Sequence, residues 1–115
     1  MHELSLAQAL VEQVEQIRVR EHATAVTSIT VNIGALSGVD REPFEFAFPL
    51  AIEGTPLAGA SLAIEETPAE VTCGACGARS QPEVTRIRCE ACGDTNVRIT
   101  AGRDFLIQSV ELRKD

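Results

Sequence analysis

Four cysteines carry the clearest chemistry in this 115-residue chain. Cys73-Gly-Ala-Cys76-Gly77 and Cys89-Glu-Ala-Cys92-Gly93 are two C-x-x-C-G turns with twelve residues between Cys76 and Cys89. Thiols three positions apart converge on one ion from a tight turn, and the glycine that follows lets the backbone aim amide donors back at the sulfurs. Two such turns complete a tetrahedral site of four thiolates. A closed all-thiolate site leaves no coordination position for water, so an ion held there is structural rather than catalytic. Zinc is the expected ion. A rubredoxin-like iron site uses the same ligands and a dithiol redox centre is conceivable, but nothing else in the chain supports redox chemistry. A segment of about thirty residues is too small to fold on a core of its own, so the ion is expected to supply its folding free energy.

The second place where residue types suggest chemistry is the start, Met1-His2-Glu3. Methionine before a bulky residue is usually retained, which leaves a free amine next to an imidazole. Amine, backbone amide nitrogen and imidazole can close chelate rings around one ion, and Ni(II) or Cu(II) favours such nitrogen-rich square or tetragonal sites more than zinc does. Glu3 can add an oxygen ligand or orient the imidazole. The other histidine, His22, falls near the end of the first helix, where a cation complements the macrodipole. Asp40 reads first as a helix cap, with metal ligation a secondary role.

The elements that must position these residues follow from periodicity. Ser5 and Gln8 form an S-x-x-Q capping box, so the first helix is expected to start there, leaving Met1 to Leu4 outside it. Leu6, Leu10, Val14 and Ile17, reinforced by Ala7 and Val11, give it one apolar face over about four turns. Ile29, Val31 and Ile33 alternate with Ser28, Thr30 and Asn32 in a half-buried strand over 26–33. Residues 34–38 read as a loop, after which Phe44, Ala47, Phe48, Ala51 and Ile52 recur at helical spacing. Gly54 and Pro56 stop that helix, and Pro49 inside it predicts a kink or an early break. Leu62 and Ile64 mark a second strand and residues 104–113 a third. Glu65-Glu66-Thr67-Pro68 and Thr100-Ala101-Gly102-Arg103 look like the hinged linkers of an inserted module.

Composition excludes several classes. The mass of 12.3 kDa allows one domain carrying a smaller module. Net charge is -7 with a pI near 4.8, the wrong sign for a phosphate backbone, so nucleic acid is not an expected partner. The charge is uneven: residues 1–69 hold 3 basic and 10 acidic residues, and residues 70–103 hold 5 and 4. The module arginines 79, 86, 88, 98 and 103 are thus balanced and have no aromatics between them, a solvated mixed surface or a contact for an acidic protein. No apolar run reaches membrane-spanning length and the start lacks the pattern of a signal peptide, so the expected location is cytoplasmic, with no membrane partner. In a reducing compartment the cysteines are metal ligands rather than disulfides.

The initial Met-His-Glu-Leu-Ser, the amphipathic helix, the Gly34-Ala-Leu-Ser-Gly-Val39 loop, the Phe44-rich helix and the late pair of C-x-x-C-G turns together resemble the HypA/HybF family of hydrogenase maturation nickel metallochaperones. The resemblance spans essentially the whole chain. It implies an α+β fold of two helices and a small three-stranded sheet, with a zinc-ribbon-like module inserted before the last strand. The corresponding domains are 1–69 with 102–115, binding nickel, and 70–101, binding zinc. Carried over by position, His2 matches the nickel ligand with the Met1 amine and Glu3 beside it, and Cys73, Cys76, Cys89 and Cys92 match the structural zinc ligands. The implied activity is capture of nickel and its delivery to the large subunit of [NiFe]-hydrogenase with a HypB-type GTPase, and in some organisms to urease. No catalytic residue is expected. A ligand set shared across two chains, and so a homodimer, is compatible with this reading. The competing reading is a zinc-ribbon interaction or regulatory protein that needs the cysteines but not His2.

Overall fold

The computed structural model describes residues 2–115, and its elements run α1 (His2–Arg20), β1 (Ala25–Gly34), α2 (Arg41–Ile52), β2 (Ser61–Thr67), β3 (Glu70–Cys73), β4 (Arg79–Ser80), β5 (Val97–Ala101) and β6 (Phe105–Arg113). The strands form two three-stranded sheets, ordered β2-β1-β6 and β4-β3-β5. The α+β reading of two helices, a small sheet and a cysteine module is therefore correct. By contacts the chain divides into two compact units, one of Met1–Val31, Asp40–Glu65 and Leu106–Asp115, the other of Asn32–Val39 and Glu66–Phe105.

In the first unit the apolar stripe of α1 buries Ala7, Leu10, Val11 and Val14, and that of α2 buries Phe44, Ala47, Phe48 and Ile52. The two helices pack on each other. Val26, Ile29 and Val31 of β1 and Leu57 complete the core. Two expectations change here. Helix α1 starts at His2, not at Ser5. Nothing in His2 to Leu4 breaks a helix, and Glu3 in the first turn complements the positive end of the dipole, so the extra turn forms without the capping box. Helix α2 also runs through Pro49 without the early break and ends at Ile52. Proline costs one backbone bond there, while burial of Phe48 and Ile52 on either side holds the turn together.

The C-terminus of α1 closes as a Schellman motif: the Ala23 amide donates to the Arg18 carbonyl at 3.0 Å and the His22 amide to the Val19 carbonyl at 3.1 Å. His22 takes the left-handed position usually held by glycine, at φ 56°. The Arg18 guanidinium donates to the Ala23 carbonyl at 2.9 Å and to Glu15 at 2.6 and 2.7 Å.

In the second unit β3 is the central strand, antiparallel to β4 with Thr72 opposite Arg79 and to β5 with Cys73 opposite Val97. The residues expected as linkers are partly strand: β2 continues through Thr67 and β5 through Ala101. Between them the backbones approach closely. The Gly34 amide donates to the Asp104 carbonyl at 2.8 Å and the Leu36 amide to the Gly102 carbonyl at 2.7 Å. A Cβ on Gly34 would lie 2.4 Å from the Gly102 oxygen, so only glycine allows this pairing.

Candidate metal sites

The two cysteine turns are near copies of each other. The Cys76 amide donates to the Cys73 sulfur at 3.4 Å, and the Cys92 amide to the Cys89 sulfur at 3.4 Å. The Gly77 amide donates to the Cys73 carbonyl at 3.0 Å and the Gly93 amide to the Cys89 carbonyl at 2.8 Å, with both glycines in the left-handed region at φ 76° and 80°. A side chain would be strained at either position, which is the reason for glycine after each pair. The register of β3 against β5 places Cys73 at a strand end, where the turn begins.

The turns face each other across a small space. Cys73 Sγ lies 3.6 Å from Cys92 Sγ, and Cys76 Sγ lies 3.6 Å from Cys89 Sγ. All four sulfurs lie within 4.8 Å of one another, with Cys73 and Cys89 buried and Cys76 and Cys92 exposed. Metal–thiolate bonds of about 2.3 Å in a regular tetrahedron require sulfur–sulfur edges of about 3.8 Å, so the cluster has the size of a four-thiolate metal site. The chemistry of the sulfurs agrees. The Cys92 amide, joined by that of Ala91 and by the neighbouring thiols, pulls Cys89 down to about 7. Cys92 is pushed up to about 12: the Asp94 amide favours its thiolate, but the hydrogen bond with Cys73, burial and the other two thiols outweigh it. Cys76 is raised as well, against the Ala78 amide, by Cys89, burial and Cys73. Four thiols this close cannot all ionise unless a cation neutralises them.

At the other candidate site, His2 and Glu3 stand in the first turn of α1. Their side chains meet: His2 Nδ1 lies 3.5 Å from Glu3 Oε2. The imidazole is 65% exposed and the carboxylate 15%. The same Glu3 oxygen accepts from the Asp40 amide at 3.3 Å. That bond first, with the Glu3 backbone amide and His2 after it, lowers the Glu3 carboxyl below its ordinary range against the opposing pull of desolvation. Asp40 does occupy the N-cap position of α2, but in extended geometry and without a side-chain cap bond; only its carbonyl accepts, from Phe44 at 3.1 Å. The structure thus brings His2, Glu3 and the start of α2 together. The part of Asp40 that matters is its amide, which no side-chain pattern could reveal. The Met1 amine lies outside the described residues.

A tetrathiolate pair of turns and an imidazole–carboxylate pair on an α+β frame define a small metal-binding protein. The family model described as "Hydrogenase/urease nickel incorporation, metallochaperone, hypA" matches residues 1–112, and the chain belongs to that family. It is 42% identical over 112 residues to the hydrogenase maturation factor HypA of Nitrosospira multiformis, with 97% of each chain covered. It is 36% identical over 115 residues to that of Aquifex aeolicus, with all of both chains covered. The solution structure of the Ni metallochaperone HypA from Helicobacter pylori superposes with a TM-score of 0.69 at 26% identity, covering 98% of each chain. The family makes this a maturation factor rather than an enzyme.

Proposed function

We propose that this chain captures Ni(II) at its N-terminus and hands it on for maturation of [NiFe]-hydrogenase, with urease as a second client of the same chemistry. The observation that carries the reading is the His2–Glu3–Asp40 chain of contacts on a family member: an exposed imidazole backed by a carboxylate that α2 holds in place. The Met1 amine and backbone nitrogens complete a nitrogen-rich set suited to nickel, and Glu3 orients the imidazole or adds an oxygen. An exposed site suits a carrier, because a recipient's ligands must displace the carrier's one at a time. These groups bind after losing protons, so nickel affinity falls on acidification.

Cys73, Cys76, Cys89 and Cys92 hold zinc, which supplies folding free energy and no turnover. Support comes from the all-sulfur donor set and the size of the cluster, and from the absence of any further redox chemistry in the sequence. In this scheme residues 1–69 with 102–115 form the nickel-binding domain and 70–101 the zinc-binding domain. The chain works in the cytoplasm with a HypB-type GTPase and the hydrogenase large subunit. Among the described residues, no helix is long and apolar enough to cross a membrane.

The test is a native mass spectrum of tag-free protein titrated with nickel, run beside His2→Ala. One retained zinc and one nickel per chain, with only nickel lost from His2→Ala, is the expected result. The same spectrum counts subunits, and so reads whether ligands come from one chain or two. Zinc alone, or nickel binding indifferent to His2, would leave the zinc-ribbon interaction protein as the better reading.

A further inference from the structure

Helix α2 is apolar on both sides. Its core face is accounted for by Phe44, Ala47, Phe48 and Ile52. Its outward face carries Phe46, 71% exposed, and Leu50, 59% exposed, one turn apart, with Pro43 one turn before Phe46 and Pro49 beside Leu50, both exposed. Single exposed apolar residues are ordinary, but a contiguous row of four on one helix face marks a contact surface. The row also has a charged border. Glu42 lies one turn before Phe46 and Glu53 one turn after Pro49, both exposed, and among the described residues no cation pairs with either of them. The neighbouring Arg41 is engaged by Glu45 at 3.0 Å. From Phe46 an open depression runs back along Pro43 and Glu42 to Asp40.

We propose that this face of α2 is a docking surface for a partner protein segment that presents apolar side chains inside a rim of lysine or arginine. Apolar anchors would cover Phe46 and Leu50, and basic side chains would meet Glu42 and Glu53. The net charge of -7 steers such a segment toward the chain. The charge pattern argues against the other occupants. In a two-fold contact between copies of this chain, the glutamates of one α2 would face those of the other. An anionic membrane surface would be repelled in the same way. Because the depression ends at Asp40, whose amide holds Glu3, a segment seated here has its edge beside His2. That placement makes docking and nickel transfer neighbours and rests on the carrier reading above; the docking itself does not.

The experiment places a photo-cross-linking phenylalanine analogue at position 46, and at the exposed position 12 of α1 as a control, in cells that make the protein, and sequences the attached segment. The expected result is an adduct at 46 and not at 12, to a segment of net positive charge with apolar residues between its basic ones. That segment, synthesised and labelled, binds the full wild-type chain and loses about tenfold in affinity to Phe46→Ser/Leu50→Ser, as interface anchors do. It loses about threefold to Glu42→Gln/Glu53→Gln, an effect that fades in high salt. Helical circular dichroism shows that the variants fold. An acidic or wholly polar attached segment, a second copy of this chain, equal labelling at 12 and 46, or affinity indifferent to the paired substitutions overturns the proposal. Nickel loading of the free wild-type chain is measured alongside. Its absence sinks the carrier reading whatever the segment does, and nickel loading with no segment binding sinks only the docking surface.

Discussion

Cys89 is poised to meet a metal as a thiolate near neutral pH. Held down to about 7 by the Cys92 amide first and by Ala91 and its thiol neighbours after it, it becomes a thiolate before Cys76 and Cys92 as pH rises. Cys76 and Cys92 follow at higher pH, Cys92 only near 12. Metal capture at neutral pH must therefore expel protons that the raised thiols still hold, and the sign is fixed: affinity rises with pH, and below about 7 Cys89 is protonated too. We expect that moving the protein from pH 8 to pH 6 in the presence of a fixed, pH-corrected chelator lowers the retained metal, with affinity falling by about tenfold or more per pH unit. Metal analysis after desalting reads this directly, and flat retention across that range would contradict the proton bookkeeping. The N-terminal carboxylate differs. The Asp40 amide keeps Glu3 ionised further into acid than a free carboxyl, so in the proposed nickel site acid release is not expected to be set by Glu3.

Among the elements, those with a strong periodic pattern were readable from the residues alone. The alternation of Ile29, Val31 and Ile33 and the helical spacing of Phe44, Ala47, Phe48 and Ile52 each name their buried face, because burial on one side is what imposes the period. Elements whose reason lies elsewhere were not readable. The first turn of α1 is secured by its dipole and by a bond to residue 40, far away in sequence. Strands β3, β4 and β5 have four, two and five residues, too few to show a period, and their pairing depends on turns that converge on the sulfurs. The early break that Pro49 predicts is absent because packing of Phe48 and Ile52 outweighs local propensity. At the end of α1 the role of His22 lies in its backbone more than in its charge: at φ 56° it does the work of a C-terminal glycine. That position costs a non-glycine residue about 1 kcal/mol, so His22→Gly should raise stability by about 0.5 to 1 kcal/mol, less the added freedom of the unfolded chain. Urea unfolding followed by circular dichroism reads it, and a loss of stability would mean that the exposed imidazole holds the turn.

At the scale of the whole molecule, the two compact units bury different things. The unit containing α1 and α2 encloses Phe44, Leu57, Ile29, Val14 and Val31 almost completely. The unit built on β3 buries Ile33, Ala69, Val71 and two of the cysteines among short strands, which is little apolar surface to offset the entropy of ordering residues 32–39 and 66–105. A structural metal contributes about 10 to 16 kcal/mol in comparable small modules, so we expect stability in this unit to depend on a bound ion and stability in the other to be independent of it. Because both helices lie in the first unit, helical circular dichroism reports that unit alone. The chain has no Trp or Tyr, so the cysteine unit is followed by amide exchange rather than by fluorescence. Stripping the metal with a strong chelator under reducing conditions should open the amides of β3 and β5 to exchange. The signal at 222 nm should stay within about a tenth of its starting value, since local opening need not reach a separately cored region. Restoring zinc should restore protection. If the amides of α1 and α2 open together with those of β3, the metal stabilises one cooperative fold, and the four thiolates then carry the N-terminal site as well as their own unit.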